Sequence, residues 1–269
     1  MKLAFIGGGN MAAAMIGGLL QKGFSAAAIQ VAETLPERRT WLSRQFAVAV
    51  RERATDVLEA DVLVLAVKPQ QLAALLKSLP ALKPRQLVLS IAAGVRARDI
   101  ARWLGGHPAV ARAMPNTPAL VGAGIAGLYA LPGVSESQKA QASQILEAVG
   151  QAVWVEEEGQ IDSVTAISGS GPAYVFYFIE ALEQAGIDLG LPAATARQLT
   201  LQTFYGAAAL ALRDEAPPAE LRARVTSKGG TTERGILALE DNAVKRAIAL
   251  AARAAAERAR ELGDQLGQD

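Results

Sequence analysis

The glycine-rich segment FIGGGNMA, which overlaps the end of the apolar run KLAFI at 2–6, constrains the fold of this chain more than any other feature. Its spacing, Gly7-x-Gly9-x-x-Ala12, is typical of the turn that joins the first strand of a dinucleotide-binding sheet to its first helix. The first glycine permits a tight turn, the second lets the backbone approach a pyrophosphate, and the small third residue permits close packing. Amides at the helix N-terminus favour an anion. The residues predicted to line this site are Ile6, Gly7, Gly8, Gly9, Asn10 and Met11.

The first half of the chain alternates short apolar runs with segments of helical spacing. Strands are predicted at 2–6, 29–33, 46–50, 61–67, 86–91 and 109–114, with an additional strand at 124–130 and a last one at 151–157. Helices are predicted at 10–22, 36–45, 69–78, 96–104 and 135–150. Apolar strands that alternate with helices are typical of a parallel sheet covered on both faces. The sequence therefore predicts an α/β Rossmann-like domain.

The second half of the chain has a helical pattern only. Helices are predicted within 167–186, after a glycine-serine turn, and at 191–215, 217–225 and 241–266. We therefore predict a dinucleotide-binding Rossmann domain at 1–158, followed by an all-α domain at 159–269. The helices at 174–186 and 199–212 are apolar over much of their circumference, so something must cover them. An ordinary helical core and an interface between two subunits both fit this pattern.

Composition argues against several classes of protein. The chain has no cysteine and a single histidine, His107, so neither a thiolate nor a multi-histidine metal site is expected. Its 27 lysines and arginines nearly balance 26 acidic residues, which argues against nucleic acid as a partner. The N-terminus superficially suggests a secretory signal, but GGGN interrupts its apolar run. No apolar stretch reaches the roughly 18 residues of a membrane span. We expect a soluble, cytoplasmic protein without a membrane partner.

Cofactor preference depends on the residues that follow the second predicted strand. Glu33 ends that strand, where an acidic side chain usually accepts hydrogen bonds from the ribose hydroxyls and favours NAD. A 2′-phosphate beside Glu33 is repelled unless cations compensate. Arg38, Arg39 and Arg53 follow nearby and are candidates for that role, although a solvated surface explains them equally well. NADPH and NADH both remain open.

Two further loops follow the carboxyl ends of predicted strands, where open α/β sheets bind ligands. One is the AVKP run, and the other holds Asn116 and Thr117 between two prolines. These polar groups are candidate contacts for nicotinamide or substrate. His107 precedes a proline on the opposite side of the sheet and is not expected to be catalytic. The AVKP residues predicted to face the cofactor are Ala66, Val67, Lys68 and Pro69.

The segment VTSKGGTTERGI at 225–236 interrupts alanine-rich helical sequence with adjacent glycines and four hydroxyl side chains. Gly229 and Gly230 let backbone amides turn toward a ligand, and a helix is expected to begin near Thr231 or Thr232. Amides at such an N-terminus form an anion site that suits a carboxylate. The alternative is that one threonine is simply an N-cap.

Five motifs occur together in this chain: GGGNMA, AVKP, MPNTPA, SGSGPAY and TSKGGTTERGI, in that order. Together they resemble the pyrroline-5-carboxylate reductase family over essentially the whole chain. The resemblance implies a Rossmann domain and a helical dimerisation domain whose helices interlock with a second subunit, and further assembly into a ring of dimers. It also implies reduction of 1-pyrroline-5-carboxylate to L-proline by NADPH or NADH, the last step of proline synthesis.

The same resemblance assigns roles to residues of the late loop. The substrate carboxylate is assigned to the backbone around Gly230 and Thr231, with help from Ser227 and Gly229. The ring nitrogen is assigned to the hydroxyl of Thr232, which is therefore the expected catalytic residue.

Two departures from the family pattern concern the cofactor rather than the reaction. Relatives often carry a small polar run where this chain has Glu33-Thr34-Leu35. Some relatives have an asparagine beside the adenosine ribose where this chain has Arg53.

Two other functions suit a two-domain layout of this kind. A β-hydroxyacid dehydrogenase uses a catalytic lysine on the first long helix of its second domain, and 172–190 contains no lysine. Lys228 lies in the late loop instead. A non-catalytic dinucleotide-binding regulator retains the fold without the chemistry, and the intact Thr232 loop disfavours it.

Overall fold

A computed structural model describes residues 1–268, and its sheet has eight strands in the order β3-β2-β1-β4-β5-β6-β7-β8. The strands are β1 (Leu3–Ile6), β2 (Ile29–Ala32), β3 (Ala49–Arg51), β4 (Val62–Leu65), β5 (Leu87–Ser90), β6 (Val110–Met114), β7 (Gly124–Ala130) and β8 (Gly150–Trp154). All neighbouring strands pair in parallel except β6 and β7, which are antiparallel. The connection from β6 to β7, residues 115–123, is shorter than the crossover of about a dozen residues or more that a parallel pair requires.

Eleven helices are found in the described chain. They are α1 (Asn10–Gln21), α2 (Pro36–Phe46), α3 (Pro69–Ser78), α4 (Ala97–Trp103), α5 (Glu136–Glu147), α6 (Gln160–Val164), α7 (Gly171–Asp188), α8 (Ala193–Ala211), α9 (Pro218–Arg224), α10 (Thr231–Asp241) and α11 (Val244–Leu266). A π-helical turn, Thr165–Gly169, separates α6 from α7. The sequence pattern had placed these residues partly in a glycine-serine turn, because one wide turn has no periodic signal.

The sheet is buried on both faces. Leu3 and Phe5 of β1 pack into one apolar cluster with Ile16 of α1, on one side of the sheet. Ala4 and Ile6, the alternate residues of the same strand, belong to a second cluster that includes side chains of α3 and α4. Successive side chains of a strand point to opposite faces, so both clusters are needed to cover the central strands. The predicted α/β Rossmann-like fold class is confirmed.

The chain divides into two compact units. The first comprises Met1–Ser170 together with the chain from Arg253 onward, and the second comprises Gly171–Ala252. The change from mixed to all-helical sequence was predicted near residue 158. Residues beyond that point up to Ser170 form α6 and the π-helical turn, and α6 packs on β6 and β7 within the first unit.

A buried arginine lies in the first unit. The Arg112 side chain, on β6, is 4% exposed and lies 3.4 Å from a carboxylate oxygen of Glu158 and 4.0 Å from one of Asp162. Burial lowers the pKa of the Arg112 guanidinium, and the two carboxylates offset only part of that effect. Glu158 also accepts a hydrogen bond from the backbone of Ala97, the first residue of α4. These contacts connect β6, α4 and α6 on one side of the sheet.

The second unit has very little interior of its own. Within 171–252 only Ala196 and Thr200 are buried. Large apolar side chains are exposed on α7, α8, α10 and α11, including Phe176, Tyr177, Leu199, Tyr205, Leu210, Leu239 and Leu250. So many exposed large apolar side chains on one helical unit indicate an interaction surface.

Candidate active site

The turn after β1 can be built only with glycine at its first position. Gly7 has φ +102, a backbone conformation that side-chain-bearing residues rarely adopt. A Cβ atom there would lie 2.5 Å from the carbonyl oxygen of Ala66, so β1 and the end of β4 approach each other without room for a methyl group. Ala66 and Val67 therefore support the turn from behind.

Gly9 has the opposite environment. It is the N-cap of α1 in extended backbone conformation, and a Cβ atom there would meet no heavy atom within 4 Å. No side chain caps the helix, and its first turn carries no acidic residue. The open approach and the uncapped amides of Asn10 and Met11 would suit a pyrophosphate, and the cofactor contacts predicted for these residues stay a prediction.

The Glu33 carboxylate is bound to backbone amides of the chain itself. Its Oε2 accepts a hydrogen bond from the Gly8 amide at 3.0 Å, and its Oε1 accepts one from the Leu35 amide at 2.9 Å. The hydroxyl of Thr34 is 3.5 Å from Oε1. Glu33 therefore holds the glycine turn against the end of β2, a role the sequence pattern did not include.

We expect Glu33→Gln to lower the free energy of unfolding of the sheet unit by about 1 kcal/mol, because a charged acceptor of two amides is replaced by a neutral one. Glu37→Gln, at the exposed second residue of α2, is the matched control and should have a smaller effect. Chemical denaturation of the two variants measures the difference. Equal stabilities would contradict the structural role of Glu33.

The three nearby arginines have different partners. Arg39 donates to the backbone oxygens of Glu33 and Thr34 at 3.0 and 2.7 Å. Arg53 is paired with Asp56 at 2.9 Å, which raises the pKa of Arg53 and lowers that of Asp56. Arg38 donates from Nε to the Gly8 carbonyl oxygen at 2.6 Å.

The loops after β4 and β6 differ in how their polar groups are engaged. Lys68 is exposed at the N-cap of α3, directly before Pro69, and its side chain makes no hydrogen bond or ion pair within the described chain. Asn116 is buried: its Oδ1 accepts from the Ile125 amide at 3.0 Å and its Nδ2 donates to the Ser168 carbonyl oxygen at 3.1 Å. Asn116 thereby ties the turn after β6 to the π-helical turn.

The late loop lies between α9 and α10, as the sequence pattern predicted, and α10 begins at Thr231 with Gly230 as its N-cap. Gly229 has φ +74, and a Cβ atom at Gly230 would lie 2.5 Å from Oγ of Ser227. Gly229 thus suits this turn by its backbone conformation, and a side chain at Gly230 would displace the hydroxyl of Ser227.

The amides of this loop are unequally available. Gly230 donates its amide to the Ser227 carbonyl oxygen at 3.0 Å, and Gly229 donates its amide to the Glu233 carboxylate at 2.7 Å. The amides of Thr231, Thr232 and Glu233, in the first turn of α10, have no acceptor among residues 1–268. Both threonine side chains are exposed and neither is an N-cap. The sequence pattern missed Glu233, although its position three residues after the N-cap was a usable signal.

Several residues that the sequence singled out have no assigned role in this chemistry. Lys228 is exposed and makes no hydrogen bond or ion pair within the described chain. His107 is buried, with Nε2 at 2.8 Å from the Gln86 carbonyl oxygen. Residues 1–268 contain no cluster of acidic, histidine or cysteine side chains that could hold a metal, and none of their helices is long and apolar enough to cross a membrane.

Comparison with known proteins gives matches over the full length. Residues 158–262 match the family described as pyrroline-5-carboxylate reductase dimerisation, and residues 2–94 match the family described as NADP oxidoreductase, coenzyme F420-dependent. The chain is 51% identical over 269 residues to pyrroline-5-carboxylate reductase of Pseudomonas aeruginosa, covering 99% of this chain and 98% of that protein.

Solved structures agree with these sequence matches. A pyrroline-5-carboxylate reductase from Coxiella burnetii is 42% identical, with a TM-score of 0.92 over 97% of this chain and 98% of that one. A pyrroline carboxylate reductase from Plasmodium falciparum, solved with NADP bound, is 28% identical, with a TM-score of 0.87 over 98% of each chain. By sequence and by fold, the chain belongs to the pyrroline-5-carboxylate reductase family.

Proposed function

We propose that this protein reduces 1-pyrroline-5-carboxylate to L-proline with a hydride from NADPH, or from NADH. The observation that carries the proposal is the loop before α10 together with the first turn of that helix. The chain's membership of the family gives this loop its meaning. There an 11-residue helix presents three free amides and two exposed threonine hydroxyls. An anionic substrate with a polar ring nitrogen suits that combination of donors.

The reaction requires a hydride at the carbon of the C=N bond and a proton on its nitrogen. A bound dinucleotide would supply the hydride, and solvent would supply the proton. The chain has to orient the substrate and to stabilise the change of charge at the ring nitrogen, and both tasks can be performed by preorganised hydrogen-bond donors.

In this proposal the first turn of α10 binds the substrate carboxylate. The free amides of Thr231 and Thr232 donate to it, while Ser227, Gly229 and Gly230 hold the loop in shape. The hydroxyl of Thr232 donates to the ring nitrogen, which makes Thr232 the catalytic residue. Since both polar groups of the Asn116 amide already bind backbone, Asn116 contributes mainly by holding its loop.

The glycine turn and the residues that follow β2, β3, β4 and β6 are assigned to the dinucleotide. The assigned residues are Ile6, Gly7, Gly8, Gly9, Asn10, Met11, Glu33, Arg53, Ala66, Val67, Lys68, Pro69 and Asn116. Gly9 and the amides that follow it are the contacts to the pyrophosphate, because that approach is open. NADPH is the proposed donor, supported by the match to an NADP oxidoreductase family and by the relative solved with NADP.

We extend the proposal to self-association through the helical unit. Exposed Phe176, Tyr177 and Tyr205 belong to an apolar surface that a second copy would cover. The family that matches residues 158–262 is described as pyrroline-5-carboxylate reductase dimerisation. A dimer, and a ring of dimers in the cytoplasm, follow from the family pattern. Light scattering of the purified protein measures the mass of the assembly, and a monomer at micromolar concentration would contradict this part of the proposal.

The proposed activity can be tested by following dinucleotide absorbance when 1-pyrroline-5-carboxylate is added to the purified protein. We expect oxidation of NADPH, slower or comparable oxidation of NADH, and L-proline as the product in equal amount. Omitting the substrate is the control for spontaneous oxidation. If dinucleotide binds but neither form is oxidised, the protein is a non-catalytic binder and the proposal is wrong.

A further inference from the structure

The residues after β2 offer several cations to a bound dinucleotide, and the structure separates them by what they already contact. Arg39 uses one terminal nitrogen on two carbonyl oxygens, and another lies 3.6 Å from Glu52. Arg53 points its guanidinium at Asp56, with contacts of 2.9 and 3.3 Å. Both groups are held by partners within the chain.

Arg38 is fixed in place while its terminal nitrogens remain available. Its Nε donates to the Gly8 carbonyl oxygen at 2.6 Å, and its guanidinium lies over the Trp41 ring at 4.2 Å from the ring centroid. Of its two terminal nitrogens, one has only a 3.5 Å contact with Oδ1 of Asn10 and the other has no hydrogen bond within residues 1–268. The planar group is therefore preorganised with its donor edge free, the arrangement that suits an oxyanion.

The position of this donor edge indicates which oxyanion it meets. Gly8 binds Arg38 through its carbonyl oxygen and Glu33 through its amide, so the three residues form one cluster where β2 ends. In this fold the adenosine ribose lies beside the residue that ends β2, whereas the pyrophosphate lies at the N-terminus of α1. An arginine of this cluster would therefore be within reach of a phosphate on the 2′ position of the ribose.

Glu33 is the residue that would otherwise favour NADH. Its two oxygens accept the amides of Gly8 and Leu35, one amide on each oxygen, so the carboxylate is held in one orientation by the chain's own backbone. The acidic residue that usually favours NAD is therefore present in the sequence, but in the structure its carboxylate already binds two backbone amides.

We propose that Arg38, positioned by Trp41 and by the Gly8 carbonyl oxygen, binds the 2′-phosphate and selects NADPH over NADH. The proposal rests on the dinucleotide-binding part of the proposed function. It concerns binding alone, so it does not depend on the identity of the reduced substrate.

The test is a fluorescence titration of NADPH and NADH into the wild type, Arg38→Met and Arg44→Met, without substrate. Arg44 is an exposed residue at the other end of α2 with no partner in the described chain, so it is the matched control for loss of one positive charge. We expect Arg38→Met to raise the Kd for NADPH by about 10- to 100-fold and to change the Kd for NADH by less than about threefold. Arg44→Met should change neither.

Other outcomes would overturn the proposal. Equal losses for both dinucleotides would mean that Arg38 contacts the pyrophosphate or supports the loop, and an unchanged NADPH affinity would remove Arg38 from the site. Should Arg38→Met fail to fold, Arg38→Lys tests the same point, because a lysine retains the charge but not the planar pair of donors. Competition by adenosine 2′,5′-bisphosphate against ADP gives an independent readout: wild type should prefer the bisphosphate and Arg38→Met should not.

Because the titration contains no substrate, it still measures the role of Arg38 in dinucleotide binding if the reductase assay shows no activity. Conversely, an unaltered preference in Arg38→Met leaves the reductase activity standing.

Discussion

Thr232→Val is expected to lower turnover of 1-pyrroline-5-carboxylate by more than about tenfold, with the fold and the dinucleotide affinity unchanged. Valine has nearly the shape of threonine and a similar helix propensity, so the first turn of α10 should be preserved. The variant lacks the hydroxyl that is proposed to donate to the ring nitrogen. Negative charge develops on that nitrogen during hydride transfer, and a hydrogen bond to a charged group contributes about 1.5–3 kcal/mol. Steady-state rates with saturating NADPH measure the loss.

Thr232→Ser is the control for this experiment, because it keeps the hydroxyl and removes only a methyl group. It should retain most of the activity. Near-normal turnover in Thr232→Val would remove Thr232 from the catalytic role and leave it as an ordinary residue in the first turn of a helix.

Gly9→Ala is expected to leave the fold intact and to weaken dinucleotide binding by more than about tenfold. The added methyl group meets no protein atom within 4 Å, and the backbone at Gly9 is extended, so the free chain tolerates it. A pyrophosphate that approaches the same backbone does collide with it, and overpacking of one methyl group typically costs about 1–3 kcal/mol. Thermal unfolding and a binding titration measure the two effects separately.

Two other glycine substitutions define what this result means. Gly159→Ala, whose Cβ also meets open space far along the chain, should change neither stability nor binding. Gly7→Ala should impair both, since it brings a Cβ atom to 2.5 Å from the Ala66 carbonyl oxygen at φ +102. If Gly9→Ala binds NADPH as tightly as the wild type, the pyrophosphate does not lie where the glycine pattern indicates.

Most of the sheet domain could be predicted from the sequence because its strands are short apolar runs separated by helices that begin with clear signals. Proline opens both α2 and α3, and α5 starts with a capping box formed by Ser135 and Gln138. The direction of β7 was not predictable from its residues, since it depends on the length of the preceding turn. The π-helical turn has no repeating pattern to detect.

The location of the candidate site could be predicted better than the state of its side chains. Adjacent glycines and threonines indicated an anion-binding turn, and α10 does begin at Thr231. The sequence could not show that Glu33 and Asn116 are already bound to backbone, because Gly8, which binds Glu33, and Ser168, which binds Asn116, are distant in sequence. Composition identifies residues that are able to bind a ligand, and only the fold shows which have donors or acceptors left to do so.

The near absence of buried side chains within 171–252 makes protein concentration part of this chain's stability. If a second copy covers the apolar surface, the helical unit acquires its interior by a bimolecular step, and its melting temperature should rise with the logarithm of the protomer concentration. Until it binds a partner, a newly made chain would have a helical unit that is exposed to proteases. A higher expression level would thus raise the amount of protein made and also the fraction of it that survives proteolysis.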